Sequence, residues 1–137
     1  MGRMTSAQYA ALTGQKAPRR NKYRVSPPDQ RTWNGKVYAS KAEMSYAVHL
    51  DSLIRAGHVT EVVEQPRVCL GIRENVYVPD FLVIVMHGNL GHAYYVDVKG
   101  AETQAFKKNV RLWRKYGRLP LRIVKRGKTV DTIEAAS

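Results

Sequence analysis

The chain has 137 residues, 44% of them hydrophobic, enough for one domain with its own core. Its 23 Lys and Arg stand against 11 Asp and Glu, a net charge of +12 that attracts polyanions, nucleic acid before an anionic membrane surface. The single cysteine excludes an internal disulfide, no apolar run approaches the roughly 20 residues of a membrane span, and His49, His58, His87 and His92 are scattered without zinc-site spacing.

Residues 1–31 read as a basic arm. A short helix is expected over 5–14, with Thr5 or Ser6 as N-cap and Gly14 as stop. A stretch rich in Pro, Lys and Arg follows. Seven cations stand against one acid, Asp29, over 1–31, and such a segment has little core of its own. Arg19, Arg20 and Lys22 are its candidate DNA contacts. The same composition suits packing on a partner subunit or a solvated tail. The first residues lack the apolar stretch of a secretory leader, and with one cysteine this predicts a cytoplasmic protein.

The compact domain is expected over 32–137. Asn34-Gly35 between apolar residues predicts a two-residue hairpin. A helix is predicted over 40–57, with Ser40 as N-cap and Gly57 as stop. Three strand-like runs follow, 58–72, 75–87 and 92–100, the last two joined by the polar turn "HGNLG". In the first run, "VCL" makes Cys69 a small core residue. A second helix is predicted over 103–117 and a strand over 120–127. No element is predicted for 128–137. This order gives an α/β fold, a mixed central sheet flanked by helices, one on each face.

The segment "YVPDFLVIVMHGNLGHAYYVDVKG" puts three charges into otherwise apolar strands. Residues two apart share a face of a strand, so Asp97 and Lys99 point the same way as Tyr95, while Val96 and Val98 point into the core. A tight hairpin centred between residues 88 and 89 makes Asp80 and Asp97 cross-strand neighbours. Two carboxylates at one place repel unless a cation intervenes. Oxygen ligands of this kind suit Mg²⁺. Lys99 then either pairs with a carboxylate or helps activate water and offset charge on a phosphate.

Glu43 has two readings. Ser40-Lys41-Ala42-Glu43 is a capping box, in which Glu43 reaches back to the Ser40 amide. At about 100° per residue, Glu43 also lies within the apolar stripe of Tyr46, Ala47, Leu50 and Ile54. A carboxylate aimed at the sheet needs a partner, and a metal site supplies one.

Glu43 on a first helix, then Pro79-Asp80, then Asp97-Val98-Lys99 resembles the PD-(D/E)XK nuclease superfamily. The run "VPDFLV…YYVDVKG…KKNVRLWRKYG…LRIV" is similar to phage endonuclease I-type Holliday junction resolvases. It also resembles a set of small phage proteins of unknown function that share "SKAE…QP…DF…DVKG". The resemblance covers about residues 32–126. It implies a restriction-endonuclease-like core and a Mg²⁺-dependent DNA endonuclease, with Mn²⁺ as a substitute. Asp80 and Asp97 would hold the metal, joined by the Val98 carbonyl. Lys99 would position or activate water, Glu43 would complete the site, and Gln65 would lie beside it. The implied substrate is branched DNA, cut to leave a 5′-phosphate in a bacterial host cytoplasm. Symmetric cutting of a junction needs two sites, hence a homodimer. The endonuclease I type carries Glu where this chain has Asp97, so the metal geometry need not carry over. The alternatives are a general, end-processing or restriction/transposition-type nuclease of the same superfamily, or a basic DNA-binding protein whose carboxylates are structural.

The second helix opens a run of ten cations and no acids over 107–128. Phe106, Val110 and Trp113 have the spacing of a core stripe. Lys107, Lys108, Arg111 and Arg114 are left as candidate DNA contacts, Lys107, Arg111 and Arg114 sharing one side suited to phosphates. Neither "VKGAE" nor "HGNLG" has the spacing of a nucleotide-binding loop, so no nucleotide cofactor is expected.

Overall fold

The computed structural model describes residues 25–99 and 103–137. The helix expected over 5–14 and the arm cations Arg19, Arg20 and Lys22 lie outside them. A 3-10 turn at Pro28–Arg31 leads into the small hairpin of β1 (Thr32–Trp33) and β2 (Lys36–Val37). Its tip is Asn34-Gly35, both at positive φ, as the sequence predicts. Helix α1 (Lys41–Arg55) follows, then β3 (Glu61–Glu64), β4 (Val68–Cys69), β5 (Val76–Tyr77), β6 (Phe81–His87) and β7 (Leu90–Val98). Helix α2 (Gln104–Tyr116), β8 (Leu121–Lys125) and β9 (Lys128–Ile133) complete the chain. No helix among the described residues is long and apolar enough to cross a membrane.

Five strands form one mixed sheet in the order β3-β6-β7-β8-β9. All neighbours are antiparallel except β7 and β8, which are parallel and connected through α2. The helices take opposite faces. Tyr46, Ala47 and Leu50 of α1 pack on Phe81, Val83, Val85, Tyr94 and Val96. Phe106 and Trp113 of α2 pack with Leu121, Ile123 and Ile133, under Leu70 and Tyr77 from the β4–β5 ribbon. Burying one such large side chain stabilises by about 1.5–3 kcal/mol. This is the α/β arrangement with one helix per face.

Four expectations need correction. The run 58–72 splits into β3 and β4 because Gln65 sits at φ 49° just before Pro66, a backbone that cannot continue a strand. The run 75–87 splits at Pro79, which has no N–H for the ladder. Residues 128–133 form β9, joined to β8 by the two-residue turn Arg126-Gly127, both at positive φ. Cys69 is exposed, because alternation along β4 turns its neighbour Leu70 inward instead. Within α1, Ile54 is 38% exposed, since the last turn borders an open cleft between Trp33 and Asn34 on one side and Val62 and Glu64 of β3 on the other.

Candidate active site at the end of the sheet

The register of β6 and β7 runs from His87 opposite Leu90 to Phe81 opposite Val96. Continued one residue beyond that ladder, the same register brings Asp80 opposite Asp97. The reason for the Pro-Asp pair lies in the ladder. Val98 faces the position of Pro79, and a fully buried proline offers no N–H. The Val98 N–H is taken by the Asp80 side chain instead, at 2.7 Å from Oδ2. The Val98 carbonyl points the same way and receives no ladder donor from Pro79. Asp80 therefore lies where the strand pairing ends and holds a carboxylate against the backbone of Val98.

Asp97 lies on the α2 face of β7 and is 4% exposed. Its Oδ2 accepts from the Tyr77 hydroxyl and lies 3.2 Å from Lys99 Nζ. The Lys99 ammonium also sits over the Phe106 ring, 4.3 Å from its centre. Lys99 is thus held between a carboxylate and an aromatic face. The position of Phe106 on α2 is set by the N-cap Thr103, whose hydroxyl accepts the Phe106 N–H at 3.1 Å.

Glu43 arrives from the first turn of α1. Ser40 Oγ accepts the Glu43 N–H at 3.0 Å, one half of the capping box, while the Glu43 carboxyl turns inward and is 4% exposed. Burial, then the charge of Asp80, pushes its pKa up to about 7; Glu64 and Asp97 act in the same direction and Lys36 against it. Burial likewise pushes Asp80 up against the Val98 N–H and Lys99, and Asp97 up against Lys99. Three carboxyls at one end of the sheet are each harder to ionise than in water. A cation placed among them would relieve that.

Gln65 adjoins the site through its backbone, its N–H donating to the Asp80 carbonyl at 2.9 Å, while its side chain is exposed. Beside it, Glu64 joins Lys36 and accepts from Tyr38 at 2.7 Å. Burial opposes ionisation of Glu64, but the Lys36 and Tyr38 hydrogen bonds hold its carboxyl below the ordinary range. Tyr38 is pushed up, first by burial and then by Glu64.

The donor set suits a hard divalent cation: two or three carboxylates and a strand-end carbonyl, all oxygen. Among the described residues, no three His, Cys, Asp or Glu side chains converge at metal-ligating distance. Asp80 and Asp97 each commit Oδ2 to protein donors, so a cation would draw on their Oδ1 atoms.

The cations of α2 are sorted by the fold. Phe106 and Trp113 are buried and Val110 is half-buried, as the core stripe requires. Lys107, Lys108, Arg111 and Arg114 are exposed. Lys107, Arg111 and Arg114 line one cleft of about 350 Å³, and Lys99 lines it too.

Tyr77 and Phe106 touch the candidate residues without having been singled out for that role. Phe106 could have been found as the first α2 residue facing back toward Lys99. Tyr77 could not, because its strand belongs to a separate ribbon whose docking no local spacing encodes. No family model, no curated protein and no solved structure matches this chain.

Proposed function

We propose that this chain is a Mg²⁺-dependent DNA endonuclease with a restriction-endonuclease-like core, of PD-(D/E)XK type and selective for branched DNA. The observation that carries the reading is the strand register. It puts Asp80 opposite Asp97, with Lys99 3.2 Å from the Asp97 carboxylate and a buried Glu43 turned toward the pair. A DxK sequence alone supports little. The same residues joined by register, with three carboxyls pushed up in pKa, support a cation site far better.

In this reading Asp80, Asp97, the Val98 carbonyl and Glu43 would hold Mg²⁺, or Mn²⁺ in its place, which when bound would offset charge at the phosphate and make water there more acidic. Lys99, paired with Asp97, donates to the oxygens that gain negative charge as the phosphodiester is attacked. Phe106 and Asp97 hold that ammonium in one place, which limits the reorientation needed during reaction. Lys107, Lys108, Arg111 and Arg114 bind backbone phosphates, which positions DNA without reading sequence. Two such sites in a homodimer would cut the opposed strands of a four-way junction.

The Lys99–Asp97 ion pair also suits a second reading, a DNA-binding protein whose carboxylates are structural. Labelled four-way junction and matched linear duplex, incubated with Mg²⁺, Mn²⁺ or EDTA, separate these. Paired Mg²⁺-dependent nicks near the branch are expected, and Lys99→Ala should abolish them. Equal cutting of both DNAs would remove the junction preference. Binding without cutting in either metal would favour the second reading.

A further inference from the structure

The β8–β9 hairpin carries charge that the site described above does not use. Lys125 ends β8, Lys128 starts β9 opposite it, and Arg126-Gly127 form the turn between them. All three cations are exposed. The cleft beside α2 has two walls: Lys107, Arg111 and Arg114 on the helix, and Lys125 on the hairpin. A second open cleft, of about 660 Å³, lies along the hairpin. Lys125, Arg126 and Lys128 line it, as does Ala42, the neighbour of Glu43 in the first turn of α1. The two clefts share Lys99, Lys125 and Val130. The two clefts therefore adjoin, with Lys99 lining both.

The turn holds the hairpin tip rigidly. Arg126 and Gly127 have φ 52° and 76°, the geometry of a two-residue turn that follows strand twist. A register shift at Ile123 and Val124 leaves Val130 as the extra residue of β9, and such a bulge increases local twist. The cations at the tip are thus displayed from a fixed element rather than a loop.

We propose that this hairpin is a second DNA-binding element, forming with α2 a two-walled channel for one strand of duplex DNA that passes over Lys99. Charge complementarity supports this occupant. Cations line the cleft from both α2 and the hairpin, the acid lining it is Asp131, and Lys99 of the candidate site lines both clefts. The identity of the occupant as DNA rests on the nuclease reading.

The test is fluorescence anisotropy of a labelled linear duplex in EDTA, across a salt series, with no cutting involved. The variant Lys125→Gln/Arg126→Asn/Lys128→Gln keeps a residue tolerant of positive φ in the turn. It should bind about tenfold or more weakly, and the slope of log K against log salt should fall by about 2–3, near 0.9 for each lost phosphate contact. Asp131→Asn should bind more tightly than wild type, a gain that misfolding cannot produce. Wild-type affinity and slope in the triple variant would overturn the proposal. So would preferential binding to phosphatidylserine vesicles over duplex, or an unchanged affinity in Asp131→Asn should the triple variant fail to fold. Hairpin-dependent binding by a protein that does not cut in Mg²⁺ would sink the nuclease reading and leave the channel standing.

Discussion

Asp97 is buried and held from two sides, by the Tyr77 hydroxyl and the Lys99 ammonium. A hydrogen bond to a charged, buried group contributes about 1.5–3 kcal/mol. Tyr77→Phe should therefore lower unfolding stability by about that amount, measured in urea at neutral pH. It should also reduce cleavage, because Asp97 loses the contact that fixes its Oδ2. Glu43 makes the opposite prediction. Unfolded, its carboxyl titrates near 4.5; folded, near 7. Folding takes up a proton between those values, so this group's contribution falls as pH rises across that window. Glu43→Gln should match wild type near pH 4 and exceed it above pH 7 by up to about 3 kcal/mol. Thermal melts across pH 4–8 check this; a variant less stable than wild type at pH 8 would contradict it. At pH 8 Mg²⁺ should raise the melting temperature of wild type but not of Asp80→Asn.

At the element scale, the end of β6 is where backbone pairing turns into a site. Pro79 stops the ladder, Asp80 takes over the Val98 N–H, and Lys99 follows directly on β7. The pairing was legible in the sequence, because a turn centred between 88 and 89 fixes what lies opposite on either side, but the stop at Pro79 and the Asp80 hydrogen bond were not, since the run 75–87 reads as one strand. The α1 stripe was legible for the same reason, a period of 3.6. Tyr77, Glu64 and Tyr38 were not. They meet the site from the β4–β5 ribbon, the edge strand β3 and the segment after β2, and no local period relates those segments. Strand β9 was missed because its burial pattern is exposed at every position but Ile133, leaving no alternation to read. The elements also differ in what they can lose. Leu50→Ala, at a position 1% exposed on α1, should cost about 2–5 kcal/mol. Gly127→Ala should cost about 1–2 kcal/mol through its positive φ and leave the core intact. Chemical denaturation of both variants tests that ranking.

For the whole molecule, the sheet separates two kinds of surface. Its interior faces are covered by α1 and α2, while the end of β6 and β7 gathers the buried carboxylates. The cations of α2 and the β8–β9 hairpin face outward around Lys99. A net charge of +12 makes any DNA complex steeply salt-dependent, whereas the carboxylate end alone would repel a phosphate. A divalent cation held there, with Lys99 beside it, would join these opposites. The decisive experiment is cleavage of a labelled four-way junction in Mg²⁺ by wild type and Asp80→Ala, with binding of both measured in EDTA. Asp80→Ala should bind the junction at least as well as wild type and cut it at least about a hundredfold more slowly. Cleavage by Asp80→Ala at the wild-type rate, with binding unchanged, would contradict the cation-site reading.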